Sequence, residues 1–104
     1  MRIHMDVERL FRCLDDNTRR RILLFLGKDE RCVREIVEHL DRDQSLTSHH
    51  LKRLRECGLV QSRRDGKRIM YRLTDPSLIV LLRDAERVAG TVEGICRCVE
   101  CDEE

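Results

Sequence analysis

The chain of 104 residues has few aromatic side chains, one proline and no long apolar run. It contains no tryptophan, one tyrosine and two phenylalanines, so the core must be built from Leu, Ile and Val. A core of this kind in a single domain of this length lies near the lower limit for independent stability, which favours a homodimer. No segment approaches the roughly 18 apolar residues of a membrane-spanning helix, and the N-terminus lacks the apolar run of a signal peptide. We therefore expect a cytoplasmic protein with no membrane partner.

Six cysteines stand out against this composition. A cytoplasmic location favours metal ligands, redox thiols or small core residues over a disulfide framework. Cys13 and Cys32 lie on apolar helical faces, where a small buried thiol is common, and we interpret both as packing residues. Cys96, Cys98 and Cys101 lie in the acidic segment GICRCVECDEE. We therefore divide the chain into a domain at 1–92 and a cysteine-rich tail at 93–104.

The overall net charge of +1 conceals a strongly basic segment. Residues 49–72 contain eight basic and two acidic side chains, a net charge of +6, so the rest of the chain must carry −5. One contiguous basic segment on an otherwise acidic chain indicates a polyanionic partner.

Apolar residues at helical spacing predict four helices in the first half of the chain. The first covers residues 6–14, and the second, NTRRRILLFLG, begins at a cap within DDNT and stops at Gly27. ERCVREIVEHL is the third. SLTSHHLKRLREC is the fourth, with Asp43 as its cap and Gly58 as its end. We expect its buried side to consist of Leu46, Leu51 and Leu54.

The periodicity then changes to that of a β-hairpin. LVQSRRDGKRIMYRL predicts two short strands around Asp65-Gly66, a dipeptide that favours tight turns because both positions tolerate positive φ. Alternation in the second strand predicts two faces. The half-buried face comprises Ile69, Tyr71 and Leu73, and the mostly basic one comprises Arg68, Met70 and Arg72.

Asp75-Pro76 begins a last helix with a long apolar stripe. The stripe consists of Leu78, Leu81, Leu82, Ala85, Val88 and Ala89. The predicted fold is mainly α with a small β-hairpin wing, in the order ααααββα, which is a winged helix-turn-helix. So small a core cannot cover the whole stripe, and we expect a homodimer formed by the first and last helices.

The fourth helix and the hairpin supply candidate DNA contacts. Short polar side chains near the start of the helix suit base edges in the major groove, and cations suit phosphates. On the helix the predicted contacts are Gln44, Ser45, Thr47, Ser48, His49, Lys52 and Arg53. On the wing they are Arg63, Arg64, Lys67 and Arg68. His50 is interpreted mainly as a structural residue that faces inward.

The stretch from residue 9 to 90 resembles the ArsR/SmtB (arsenic-repressor) family of metal-responsive winged-helix repressors. The resemblance depends on LDDNTRRRIL (14–23), SLTSHHLKRLRECGLV (45–60) and RRDGKRIMYRL (63–73). It implies a homodimer that binds an inverted-repeat DNA operator, represses transcription and is released by an inducer.

The metal sites usual in that family are incomplete here. The last helix has no histidine, so the family's zinc site on that helix is absent. The paired cysteines of the third helix are reduced to Cys32, because Arg34 replaces the second. Cys57 ends the recognition helix at a position that some family members use together with the tail, but Arg53 occupies the place of its companion. For Cys57, a role as a metal ligand and a role as a small packing residue are equally consistent with the sequence.

The tail thiols are the remaining candidate metal site. Cys96, Cys98 and Cys101 are spaced closely enough to surround one ion. Three thiolates suit arsenite or antimonite, whereas zinc or cadmium prefers four ligands, and Cys57 or a tail thiol of the other subunit could be the fourth. Thiolates favour such soft ions over magnesium or calcium.

Two other functions are weighed against this one. A thiol redox switch could use the same cysteines, although the acidic tail would raise the thiol pKa rather than activate it. An enzyme is not expected, because the serines and histidines of the fourth helix lie on one short element and cannot converge on a reacting atom.

Overall fold

The computed structural model describes residues 6–95 and residue 97, so the predicted ligands Cys96, Cys98 and Cys101 lie outside the described residues. The elements are α1 (Val7–Leu14), α2 (Asn17–Leu26), β1 (Arg31–Cys32), α3 (Val33–Leu40), α4 (Gln44–Glu56), β2 (Val60–Asp65), β3 (Arg68–Leu73) and α5 (Ser77–Glu93). All five predicted helices and both strands of the hairpin are confirmed. No helix in the described part combines the length and apolar character needed to cross a membrane. The division at residue 92 stays a prediction.

Aspartate caps begin the first, second and fourth helices. The Asp6 carboxylate accepts a hydrogen bond from the Arg9 backbone N–H at 2.8 Å, and the Asp16 carboxylate accepts one from the Arg19 N–H at 2.9 Å. The Asp43 carboxylate accepts from the Ser45 N–H at 3.1 Å, which confirms the predicted cap of α4. Each such cap satisfies a backbone donor that the helix leaves unpaired and stabilises it by about 1 kcal/mol.

The third predicted helix begins too early. Arg31 and Cys32 are extended and pair with Tyr71 and Met70 of β3, giving an antiparallel sheet of order β1-β3-β2. The helix itself starts at Val33, and the Glu35 carboxylate accepts a hydrogen bond from the Cys32 N–H at 3.1 Å. Pairing with a distant strand thus outweighs local helical periodicity at these two residues, as tertiary contacts often do.

The hairpin turn lies one residue later than predicted. Asp65 pairs with Arg68, so Gly66 and Lys67 form the connection, and Gly66 alone has positive φ, at 65°. The alternation along β3 is also partly wrong, because Ile69 is 44% exposed while Met70 is buried. Met70 lies between β1 and β2 in the register, whereas Ile69 lies beyond the end of the two-residue β1 strand.

The core is a single aliphatic cluster between the helices and the sheet. It comprises Leu14, Ile22, Leu23, Leu26, Ile36, Leu40, Leu51, Leu54, Val60, Leu73, Leu78 and Leu82. The buried side of α4 consists of Thr47, His50, Leu51 and Leu54, whose spacing is that of one helical face. Leu46 is 41% exposed, so its predicted burial is wrong, since it precedes this face by one residue.

Several apolar side chains of α1 and α5 remain uncovered. In α5 only Leu78 and Leu82 of the predicted stripe are buried. Phe11 of α1 is 57% exposed and Val80 of α5 is 62% exposed. A cleft of about 760 Å³ between these helices is lined by Phe11, Leu81, Leu82, Ala85 and Ala89 among others. The single chain therefore presents a cleft with an apolar floor, whose lining also includes charged side chains such as Glu8, Arg12 and Glu86.

Two leucines of α4 test this assignment of faces. Leu54→Ala removes a fully buried side chain and should lower the free energy of unfolding by roughly 2–5 kcal/mol. Leu46→Ala, the matched control on the same helix, should change it by no more than about 0.5 kcal/mol. Urea unfolding followed by circular dichroism measures both values, and equal losses would contradict the observed orientation of α4.

Candidate nucleic-acid interface

The α3–α4 unit is a helix-turn-helix. α3 ends at Asp41, whose left-handed backbone (φ 54°) reverses the chain while its N–H donates to the Val37 carbonyl at 2.9 Å. After the short connection at 41–43, α4 buries one face in the core. Its opposite face is exposed and presents a row of polar and basic side chains, namely Gln44, Ser45, Ser48, His49, Lys52, Arg53 and Arg55. Six of the seven predicted contacts on this helix thus lie on the exposed face.

Thr47 is the exception, and the prediction that it faces outward is wrong. Its side chain is completely buried, and its hydroxyl has no hydrogen-bond partner in the described part of the chain. Thr47 precedes His50 by three residues and Leu51 by four, so it shares their face of the helix. The polarity of Thr47 suggested that it faces outward, but its position on the helix places its side chain in the core.

His50 is a structural residue, as predicted. Its ring is only 9% exposed, and its Nδ1 atom has no hydrogen-bond partner among the residues described. Burial lowers the pKa of His50 below its ordinary value, and the charges of Arg19 and His49 lower it further. The Asp16 carboxylate acts in the opposite direction without reversing the shift. The shift favours the neutral form of the ring and so works against a positive charge at this position.

The β-hairpin places a second group of cations beside α4. α4 leads through Gly58 directly into β2, and the two elements are in contact. Arg64, Lys67 and Arg68 are exposed at the turn end of the hairpin. Arg68 is 4.0 Å from the Asp65 carboxylate, a distance typical of a weak surface ion pair.

Arg63 is engaged within the protein. Its Nε and Nη2 atoms each donate to a Glu30 carboxylate oxygen at 2.7 Å, a bidentate pair across 33 residues of sequence. The hydrogen bond from Arg63 lowers the pKa of Glu30, and the same bond raises the pKa of Arg63. Glu30 thus fixes the orientation of one wing cation and offsets its charge. No local pattern in the sequence indicated this partner.

Cys57 forms a contact that the sequence did not predict. It is the C-terminal cap of α4 and is joined by a disulfide to Cys13, near the end of α1, with 6.6 Å between their Cα atoms. The expectation of no disulfide, and that of plain packing for Cys13, are both wrong. The two thiols are 44 residues apart, so only the packing of α1 near α4 brings them together.

The other described cysteine is buried as expected. Cys32 forms no disulfide among the described residues and its burial agrees with a packing role, but it lies in β1 rather than on a helical face. Across residues 6–95 and 97, no group of three or more His, Cys, Asp or Glu side chains is arranged to bind a metal ion. The predicted thiolate site on the tail lies outside that part of the chain and stays a prediction.

Taken together, a helix-turn-helix with one exposed polar and basic face, followed directly by a hairpin carrying cations, defines a winged helix-turn-helix protein.

Comparison with known proteins narrows this class. The bacterial regulatory protein arsR family matches residues 16–62. The probable mercury resistance operon repressor of Streptomyces lividans is 44% identical over 82 residues, 79% of this chain and 66% of that protein. The cadmium resistance transcriptional regulatory protein CadC homolog of Staphylococcus aureus is 33% identical over 82 residues, 78% of this chain and 68% of that protein. The chain thus spans about two thirds of the length of these curated relatives.

A solved structure agrees with the sequence matches. The solution NMR structure of a homodimeric winged helix-turn-helix DNA-binding domain from Mycobacterium bovis, a possible ArsR-family regulator, has a TM-score of 0.71. It is 28% identical, and the match covers 86% of this chain and 91% of that one. The chain therefore belongs to the ArsR family of bacterial regulatory proteins. The relatives named above are transcriptional regulators, which favours a non-enzymatic role.

The burial of His50 predicts that acid destabilises the fold. The ordinary pKa of about 6.5 returns on unfolding, so below that value the unfolded chain binds more protons than the folded one. The free energy of unfolding should therefore be highest above pH 6.5 and fall as the pH decreases below it. Urea unfolding between about pH 7.5 and 5.5 measures this fall. His50→Gln should reduce it strongly, whereas the exposed control His49→Gln should have a much smaller effect, since its charge is the least of the causes acting on His50. Identical curves for both variants would contradict the assignment.

Proposed function

We propose that the protein is a sequence-specific DNA-binding transcriptional repressor that acts as a homodimer and is released from its operator by a thiophilic metal or metalloid ion. The observation that carries the DNA-binding part is the exposed face of α4 beside the cationic hairpin. The helix is long enough to enter a major groove, and its buried face fixes which side chains point outward.

The two groups of exposed residues have different tasks in this proposal. Gln44, Ser45 and Ser48 near the start of α4 contact base edges, where short donors and acceptors distinguish base pairs. Lys52 and Arg53, further along the helix, bind phosphates, as do Arg64, Lys67 and Arg68 of the hairpin. Thr47 makes no DNA contact in this proposal because it is buried. Arg63 can reach DNA only in the orientation that its ion pair with Glu30 fixes.

Dimer formation follows from the uncovered cleft of α1 and α5. Exposed apolar side chains such as Phe11, Val80 and Val88 favour burial against a second copy of the chain. The homodimeric state of the Mycobacterium bovis domain supports a homodimer. Two recognition helices related by a two-fold axis would enter successive major grooves about 34 Å apart on an inverted repeat.

The inducer is proposed to bind the tail thiols. Three thiolates from Cys96, Cys98 and Cys101 suit arsenite or antimonite, and a fourth ligand would adapt the site to cadmium or zinc. Cys57 can serve as that ligand only after its disulfide with Cys13 is reduced. The mercury and cadmium resistance functions in the names of the two relatives support a soft ion as inducer.

DNA binding should depend steeply on salt. Each phosphate contact made by a cation adds close to one unit to the slope of log affinity against log salt concentration. Lys52→Gln and Arg64→Gln should each weaken binding and reduce that slope by about 1. Fluorescence anisotropy on a duplex selected by the protein from a random library measures both quantities.

The matched control for charge is Arg83→Gln, which removes an exposed cation from α5 rather than from the proposed DNA interface on α4 and the hairpin. It should leave the slope unchanged. A wild-type dimer that ignores duplex DNA at low ionic strength would overturn the proposal, as would a stably monomeric protein in analytical ultracentrifugation.

Soft ions should dissociate the complex through the tail. Arsenite, cadmium or zinc, added to reduced protein bound to its duplex, should lower DNA affinity by a factor on the order of 5–150, the usual range of allosteric coupling. A triple variant, Cys96→Ser with Cys98→Ser and Cys101→Ser, should bind DNA as wild type does but lose the response.

Magnesium is the control ion, because thiolates bind it weakly. If the triple variant still responds to the soft ions, the inducer site is elsewhere. If none of the three ions affects the wild-type complex, the protein is not a sensor of these metals.

A further inference from the structure

Two cysteines that belong to different parts of the winged helix meet at one point. Cys13 is buried in the last turn of α1, and Cys57 is the half-buried cap at the end of α4. Their Cα atoms are 6.6 Å apart, within the range that a disulfide spans without backbone movement. The remaining described thiol, Cys32, is buried at the end of β1 and bonded to no cysteine within residues 6–95.

The pair borders an open cleft that a small oxidant can enter. The cleft has a volume of about 290 Å³ and is lined by Arg9, Arg12, Cys13, Arg53, Glu56 and Cys57. Three arginines and one glutamate line it, and because Arg12 is paired with Glu8, the balance of charge is modestly positive. Nearby arginines stabilise a thiolate, which is the reactive form of cysteine. Arg53, which replaces a possible metal ligand beside Cys57, therefore favours thiol chemistry at the same place.

The disulfide connects two helices that both pack against α2. The end of α1 is bound to α2, where Arg19 Nε donates to the Cys13 carbonyl at 2.7 Å and Arg20 Nη1 donates to the Leu14 carbonyl at 2.6 Å. α4 is packed against α2, α3 and β2. Forming or breaking the disulfide therefore adds or removes a direct covalent constraint between α1 and the end of α4.

We propose that Cys13 and Cys57 form a reversible thiol–disulfide switch that changes DNA affinity. The switch rests on the proposed function, in which α1 contributes to the dimer interface and α4 contacts DNA. Both recognition helices can dock only if their separation matches the spacing of the grooves, and α1 and α4 together set that separation. A constraint between them shifts the balance between docking and non-docking dimers. It does not require the three tail thiols, although Cys57 is also the optional fourth ligand of the metal site proposed there.

The oxidant in this proposal is a hydroperoxide. The Cys57 thiolate, the more exposed of the two, attacks one oxygen of hydrogen peroxide, which breaks the O–O bond and releases hydroxide. The resulting sulfenic acid reacts with the Cys13 thiol, forming the S–S bond and releasing water. The two sulfurs together lose two electrons, and the peroxide gains them. A dithiol reductant reverses the change by thiol–disulfide exchange and is itself oxidised to a disulfide.

The test uses the full chain with the tail thiols removed, by Cys96→Ser, Cys98→Ser and Cys101→Ser, so that only Cys13, Cys32 and Cys57 remain. The protein is reduced with dithiothreitol or oxidised with hydrogen peroxide, and peptide mapping by mass spectrometry locates the disulfide. Anisotropy on a duplex selected by the reduced protein then measures the affinity of each form. We expect a Cys13–Cys57 link and a change in Kd on the order of tenfold, reversed by dithiothreitol.

Single substitutions in the same background identify the pair. Cys57→Ser should bind DNA equally before and after peroxide, and Cys13→Ala should do the same. Cys32→Ser is the matched control and should keep the full response. Circular dichroism checks that each variant is folded. Because Cys57 is only half-buried, its substitution provides the test even if the change at buried Cys13 prevents folding.

Two results would overturn the switch. One is affinities of the oxidised and reduced forms that agree within about twofold, which corresponds to a negligible free-energy difference. The other is a map in which peroxide links Cys32 or leaves all three thiols free. Failure of the proposed function looks different, because then neither form binds any duplex at low salt even though the Cys13–Cys57 link is present in the map.

Discussion

The burial of one face of α4 in the aliphatic core is the constraint on which the rest of the structure depends. Leu51 and Leu54 are completely buried, and Thr47 and His50 lie on the same side of the helix. The large apolar area that these leucines remove from water fixes the rotation of α4 about its axis. That rotation decides which polar side chains face outward. It also directs the end of the helix, with Cys57, toward α1.

The sequence shows which residues near this helix are charged, but the fold decides which of these charges are exposed and which are paired. The basic segment at 49–72 is visible in the sequence, yet its members end in different situations. Lys52 and Arg64 are exposed, whereas Nε and Nη2 of Arg63 both donate to the carboxylate of Glu30, which lies before β1. An exposed pair of this kind adds little stability. Its main consequence is to fix the direction of one cation on the wing.

The cysteines show most clearly which groupings of residues can be predicted from the sequence and which require the structure. Spacing alone groups Cys96, Cys98 and Cys101, because they are neighbours in the chain. It cannot group Cys13 with Cys57, which are separated by 44 residues and lie on different helices. Their pairing means that Cys57, the residue shared by the metal and redox proposals, has a partner within the described fold. The redox state of this pair therefore decides whether Cys57 is available as a ligand.

The sequence by itself determined the five helices, the hairpin, the cap at Asp43, a cap within DDNT, and most of the exposed face of α4. These features depend on residues close together in the chain, where periodicity and capping act. The burial of Thr47 and the exposure of Leu46 follow from helical spacing, although the residue types suggested the opposite. Tertiary structure alone decided the β1 strand, the burial of Met70, the exposure of Ile69, the Glu30–Arg63 pair and the Cys13–Cys57 disulfide. Each depends on contacts between distant segments or on the exact rotation of an element, and neither is encoded in local spacing.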